Sequence, residues 1–112
     1  MAAIATTLVV GSAHADLSID SFRKMSKGTQ AERFGVEMYV GGVVRGYLSA
    51  NGLQAAQKQP QFFCYSGDFT TRQSFELTQQ VVSEHLAKRP GDGKEEIVEM
   101  LLLMKLRQMY PC

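Results

Sequence analysis

Residues 70–90, TTRQSFELTQQVVSEHLAKRP, read as one complete amphipathic helix with both ends marked. Thr70 and Gln73 match a capping box, in which the threonine hydroxyl takes a backbone amide three residues on and the glutamine reaches back. Phe75, Leu77, Val81, Val82 and Leu86 supply the inward side. Lys88 and Arg89 suit the negative end of the helix dipole, and Pro90 cannot continue the helix. No stretch of the chain shows strand-like alternation of useful length, so this segment sets the class: all-α.

Beyond it, the turn Arg89-Pro90-Gly91-Asp92-Gly93 is short and strongly punctuated. Lys94 to Met109 then predicts the last helix. Glu95 and Glu96 open it and Lys105 and Arg107 come late, as the dipole favours. Its apolar residues (Ile97, Val98, Met100 to Met104, Leu106 and Met109) point in almost every direction at about 100° per residue. A helix of this kind is expected at the centre of the bundle, with a face left for a partner, and a homodimer is the expected assembly.

Upstream, Thr29 to about Ala50 predicts a longer helix ending at Asn51-Gly52 in the manner of a C-cap. Gly35, Gly41, Gly42 and Gly46 lie inside it, each costing about 1 kcal/mol relative to alanine. Either a neighbouring helix approaches closely along these glycines, or the helix kinks near Gly41-Gly42. Asp16 to Lys27 predicts a short amphipathic helix with Leu17, Ile19, Phe22 and Met25 inward and Gly28 as its stop. Leu53 to Gln59 adds a turn or two of helix before Pro60. The expected architecture is a compact, single-domain bundle of four to five helices.

The first fifteen residues, MAAIATTLVVGSAHA, carry no charged side chain and pass from an apolar run to Ala13-His14-Ala15. An apolar core followed by A-x-A has the form of a secretory signal peptide with its cleavage site. The basic residue that usually precedes the apolar run is missing; the alternative is an apolar N-terminal segment that stays in the protein. The expected division is 1–15 signal peptide and 16–112 folded domain, with the product in the periplasm. The other long apolar tract, Phe34 to Ala50, contains Glu37 and Arg45, so no membrane span is expected after the leader is removed.

Lys and Arg number 12 against 11 Asp and Glu, a net charge of +1, which lacks the basic footprint of a nucleic-acid binder. The two cysteines are Cys64 and the last residue, Cys112. In an exported protein an even count favours a bridge. Closing a loop of about 50 residues is worth about 4 kcal/mol in chain entropy. Phe62, Phe63 and Tyr65 around Cys64 place the expected bridge against core aromatics. A zinc site on the cysteines is not expected, because only His85 could join them in the mature chain and structural zinc takes four ligands.

Catalysis needs a positioned nucleophile, acid or base with a partner that tunes it. His85 lies at the edge of an apolar stripe and reads as an amphipathic ring packing beside Leu86; Glu84, one residue away on a helix, cannot face it. The carboxylates form no paired motif. Gly41, Gly42 and Gly46 lack the preceding strand and the lysine of a phosphate loop. The expectation is a non-enzyme with no catalytic, cofactor or metal residues, acting by binding.

Met38-Tyr39-Val40-Gly41-Gly42-Val43, Cys64, Thr70 with Gln73, Val81-Val82-Ser83-Glu84-His85-Leu86, Pro90 and the terminal Tyr110-Pro111-Cys112 occur in an order that resembles the Rap/Tai family of immunity proteins. These protect bacteria from peptidoglycan amidase toxins delivered by type VI secretion. The resemblance covers roughly 38–112. It departs from the family in lacking a second cysteine pair, with Val36 and Met25 near the corresponding places, and in Met38 replacing a glycine. It implies a periplasmic helical protein, often dimeric, that docks on its cognate amidase and occludes the active-site cleft. In relatives a loop between late helices does much of the blocking, and Arg89, Pro90, Gly91, Asp92, Gly93 and Lys94 are the corresponding segment; a plain surface turn is the alternative.

The runner-up is a small periplasmic acid-stress chaperone, for which the broad Leu/Met helix would serve. Such chaperones place both cysteines inside the chain, whereas here one is final. A structural subunit of an envelope complex is the third reading.

Overall fold

The computed structural model of the chain describes residues 16–112; the leader expected at 1–15 lies outside them. Four helices are described: α1 (Ile19–Ser26), α2 (Gln30–Ala56), α3 (Thr71–Lys88) and α4 (Val98–Met109). With no named strand among the described residues, the chain is an all-α bundle with one disulfide, as expected. α3 packs most extensively on α2, and α4 lies against both. None of these helices is long and apolar enough to cross a membrane.

Local chemistry sets the starts. Ser18 caps α1 by accepting from the Ser21 amide. α2 and α3 both open on complete capping boxes, Thr29 with Glu32 and Thr70 with Gln73. Each box satisfies two amides that a helix start otherwise leaves unpaired.

α2 runs through Asn51-Gly52 and stops six residues later than expected, at Ala56. Asn51 is buried, and its Oδ1 accepts from the Phe62 amide at 2.9 Å, so it braces the returning chain instead of capping. The stop is a Schellman motif at Lys58, with φ +58°. The Gln59 amide donates to the Gln54 carbonyl at 2.8 Å and the Lys58 amide to the Ala55 carbonyl at 3.1 Å. The helix is unbroken at Gly41-Gly42. Only Gly41 meets a neighbour, Thr71 at the start of α3; Gly35, Gly42 and Gly46 face open space. The expected close approach along a whole glycine face is thus one contact.

The last helix begins at Val98, not Lys94. Residues 92–96 form turns, and the Ile97 backbone is extended at the helix start with no side-chain cap. The reason is tertiary: the Val98 amide donates to the Leu17 carbonyl at 2.8 Å, the Ile19 amide to the Glu96 carbonyl at 3.2 Å, and Ser18 pairs with Ile97. Backbone pairing with the N-terminal segment replaces the missing first turn.

The core combines Ile19 and Phe22 of α1, Val36, Val40 and Val44 of α2, Phe75, Leu77, Val81 and Val82 of α3, and Val98, Leu101, Leu102 and Leu106 of α4. Phe63 and Phe69 from the α2–α3 connection complete it. Ser74 and Thr78, also buried, donate to the carbonyls four residues back, which satisfies their hydroxyls within the helix. α4 is not buried all round: Met100, Met104 and Met109 are exposed. α4 packs on α2 and α3 through its buried residues and leaves these methionines to solvent.

Candidate functional site

Residues 89–97 join α3 to α4 and contain all six residues of the expected docking loop. α3 ends at Lys88 because the backbone leaves helical geometry at Arg89 just before Pro90. Successive turn bonds follow: the Asp92 amide donates to the Arg89 carbonyl at 3.2 Å, and the Glu96 amide to the Asp92 carbonyl at 3.1 Å. The loop is then tied to α1, where the Asp20 amide donates to the Gly93 carbonyl at 2.9 Å. Gly93 is buried, and a Cβ there would lie 2.1 Å from an Asp20 carboxylate oxygen. Of the six expected contact residues, Arg89, Pro90, Gly91 and Lys94 face solvent, Asp92 is half-buried and Gly93 is interior.

Beneath this loop lies a cluster that sequence reasoning did not assemble. His85 Nε2 is 3.0 Å from Asp92 Oδ2 and 4.0 Å from Glu96 Oε2. Arg89 Nε donates to the same Asp92 oxygen at 2.9 Å. The His85 and Asp92 side chains retain only 19% and 22% of their exposure, whereas Arg89 retains 70%. The imidazole is thus engaged by a carboxylate across the loop, not merely packed beside Leu86. The spacing of 85, 92 and 96 carried little signal, because the three converge only once the turn closes.

Glu84 faces away from His85, as one-residue helical spacing requires. Lys105 on α4 donates to it at 3.0 Å and Gln80 at 3.1 Å. Those hydrogen bonds, Lys105 first, hold its carboxyl below the usual range.

Cys64 and Cys112 are bonded, with their Cα atoms 4.9 Å apart. The Cys64 amide also donates to the Tyr110 carbonyl at 2.8 Å, so the tail is held by backbone and sulfur together. Tyr65, Phe69 and Tyr110 stack beside the bridge, with ring centroids 4.6 Å and 4.9 Å from Tyr65. Both cysteines are exposed, and the aromatics beside the bridge are Tyr65, Phe69 and Tyr110 with Phe63 in the core; of the three residues expected there, Phe62 alone turns outward.

A second cluster absent from the sequence reading centres on Glu99. Its carboxylate accepts from the Leu17 amide and from the Tyr39 hydroxyl, and its backbone carbonyl accepts from the Tyr47 hydroxyl at 2.7 Å. Burial first, then the Glu99 hydrogen bond, pushes the Tyr39 hydroxyl up to about 12. Burial followed by the Glu99 charge raises Tyr47 as well.

Among the described residues, large exposed apolar side chains lie on α2 (Phe34, Met38, Tyr39 and Leu53), on the α2–α3 connection (Phe62) and on α4 (Met100, Met104 and Met109). Comparison with known proteins gives no match to a family model, a curated protein or a solved structure.

Proposed function

We propose that this protein is a periplasmic immunity protein that binds and occludes a type VI secretion peptidoglycan amidase, acting without chemistry of its own. The observation that carries the reading is the Cys64–Cys112 disulfide, which pins the last residue of the chain to the α2–α3 connection. A bridge of this kind belongs to an oxidising compartment, which is also where peptidoglycan is cleaved. Leu17, two residues beyond the expected cleavage point, is held at both its amide and its carbonyl, as a mature N-terminus that must not fray requires.

Inhibition by occlusion asks for a rigid surface of roughly 800 Å² per partner. The Arg89-Pro90-Gly91 tip and Lys94 offer exposed groups on a loop fastened from below by Gly93 and Asp92. Fastening lowers the entropy lost on docking. The charges of Arg89 and Lys94 tune partner choice and association rate more than depth of binding. Cys64 and Cys112 are joined and His85 is bound to a carboxylate, so the groups best suited to nucleophilic work have structural partners.

The test is protection. A cysteine–histidine amidase is expected to be encoded beside this gene and, directed to the periplasm, it should lyse its host. Co-expression of the full chain should restore growth, and a version lacking residues 1–15, confined to the cytoplasm, should not. Equal lysis with and without the full chain, or the lack of any such neighbouring amidase, would contradict the reading.

A further inference from the structure

We infer that His85, Asp92 and Glu96 form a binding site for a divalent transition-metal cation such as zinc. The site stands on its own geometry and does not rest on the immunity reading.

The three side chains offer one imidazole nitrogen and two carboxylate oxygens, all within 4.8 Å of one another. A cation with bonds of about 2.0–2.1 Å in tetrahedral geometry holds its ligands about 3.3 Å apart. The observed separations from His85 Nε2, 3.0 Å to Asp92 and 4.0 Å to Glu96, need adjustments of less than about 1 Å, within the reach of side-chain rotation alone. The set is imidazole with carboxylates, which suits zinc, copper or nickel better than calcium or magnesium. Three protein ligands leave a position for water or for a group from a partner.

The backbone that carries the ligands is already fixed. His85 sits in the last turn of α3, and the Arg89 amide donates to its carbonyl at 2.8 Å. Asp92 and Glu96 are joined by their own turn bond, and Gly93 and Glu96 are tied to α1. Burial to about a fifth of full exposure at His85 and Asp92 limits competition from water. On binding, the cation takes the place of the Nε2 proton now donated to Asp92 Oδ2; that proton leaves, to solvent or by transfer to Nδ1, and the imidazole binds the metal through Nε2 with its one proton on Nδ1.

Arg89 gives the inference a distinguishing mark. Its guanidinium holds the same Asp92 oxygen that the cation needs, so it competes with the metal. Loading the site releases Arg89 from the loop; removing Arg89 must tighten the site. A cluster that is only a network of ion pairs predicts the reverse, because losing the arginine would loosen it.

The experiment is calorimetric titration of zinc chloride into tag-free, chelator-stripped protein. Expected are one zinc per chain, at least tenfold weaker binding in His85→Ala and in Glu96→Gln, and several-fold tighter binding in Arg89→Ala. If His85→Ala does not fold, His85→Gln and the movement of the His85 ring signals on zinc addition to the native protein read the same site. No zinc uptake by the native protein, undiminished uptake by the His85 and Glu96 variants, or weaker uptake by Arg89→Ala would each overturn the inference.

Discussion

Both carboxylate oxygens of Glu99 lie 3.2 Å from the backbone nitrogen of Leu17, so the first turn of α4 clamps the N-terminal segment. Tyr39 and Tyr47 from α2 meet the same residue, one at the carboxylate and one at the backbone carbonyl. One residue therefore joins three parts of the chain.

Replacing Glu99 with alanine removes the side-chain acceptor of the Leu17 amide and the carboxylate that Tyr39 donates to. The expected cost is about 1–3 kcal/mol, with faster amide exchange at Leu17. Chemical denaturation and hydrogen exchange read both. A change within about 0.5 kcal/mol, as at an ordinary surface position, would mean the clamp does not hold.

Alkaline pH tests the same cluster through Tyr39. Its hydroxyl is raised in the folded state to about 12, so the folded chain keeps a proton that the unfolded chain releases near pH 10. The associated stability is complete below pH 10 and is lost as pH rises from there towards 12. Melting temperature should fall over that window, and less steeply in Tyr39→Phe. Identical slopes for the two proteins would contradict the assignment.

Adjacent glycines on α2 should respond in opposite ways. A Cβ at Gly42 meets open space, so Gly42→Ala should stabilise by up to about 1 kcal/mol through helix propensity. A Cβ at Gly41 would lie 3.2 Å from the Thr71 hydroxyl and 3.4 Å from its Cα, which is backbone and moves little. Gly41→Ala should therefore melt below Gly42→Ala. Equal melting temperatures would show that α2 and α3 do not approach there.

The disulfide should contribute about 4 kcal/mol by the loop it closes, so the Cys64→Ser/Cys112→Ser pair should lose about that much in denaturant. Exchange at the Cys64 amide, which now donates to Tyr110, should rise with it. A loss below about 1 kcal/mol would show that the aromatic group holds the tail unaided.

The sequence was most readable where the chemistry is local. The Thr70–Gln73 box, the Pro90 stop and the inward set of α3 follow from spacing within one helix. Cys64 and Cys112 were legible because only two cysteines exist to be paired. What escaped depends on distant chain segments. Asn51-Gly52 has the composition of a helix end, yet Asn51 is taken up by Phe62 and α2 continues. Lys94 to Glu96 has the composition of a first turn, yet the backbone there pairs with residues 17–20 and α4 starts late. The broad apolar content of α4 overstated its burial, since Met100, Met104 and Met109 stay outside. Glu99 and the His85, Asp92, Glu96 group follow no local pattern at all; their partners are brought in by packing.

The most direct measurement is an inhibition titration. Purified, oxidised protein is added in increments to the cysteine–histidine amidase expected beside its gene, and release of peptidoglycan fragments is followed. The account predicts a linear fall in activity to near zero at about one equivalent, with Arg89→Glu/Lys94→Glu shifting the curve to higher concentration. Full amidase activity at saturating protein would contradict it.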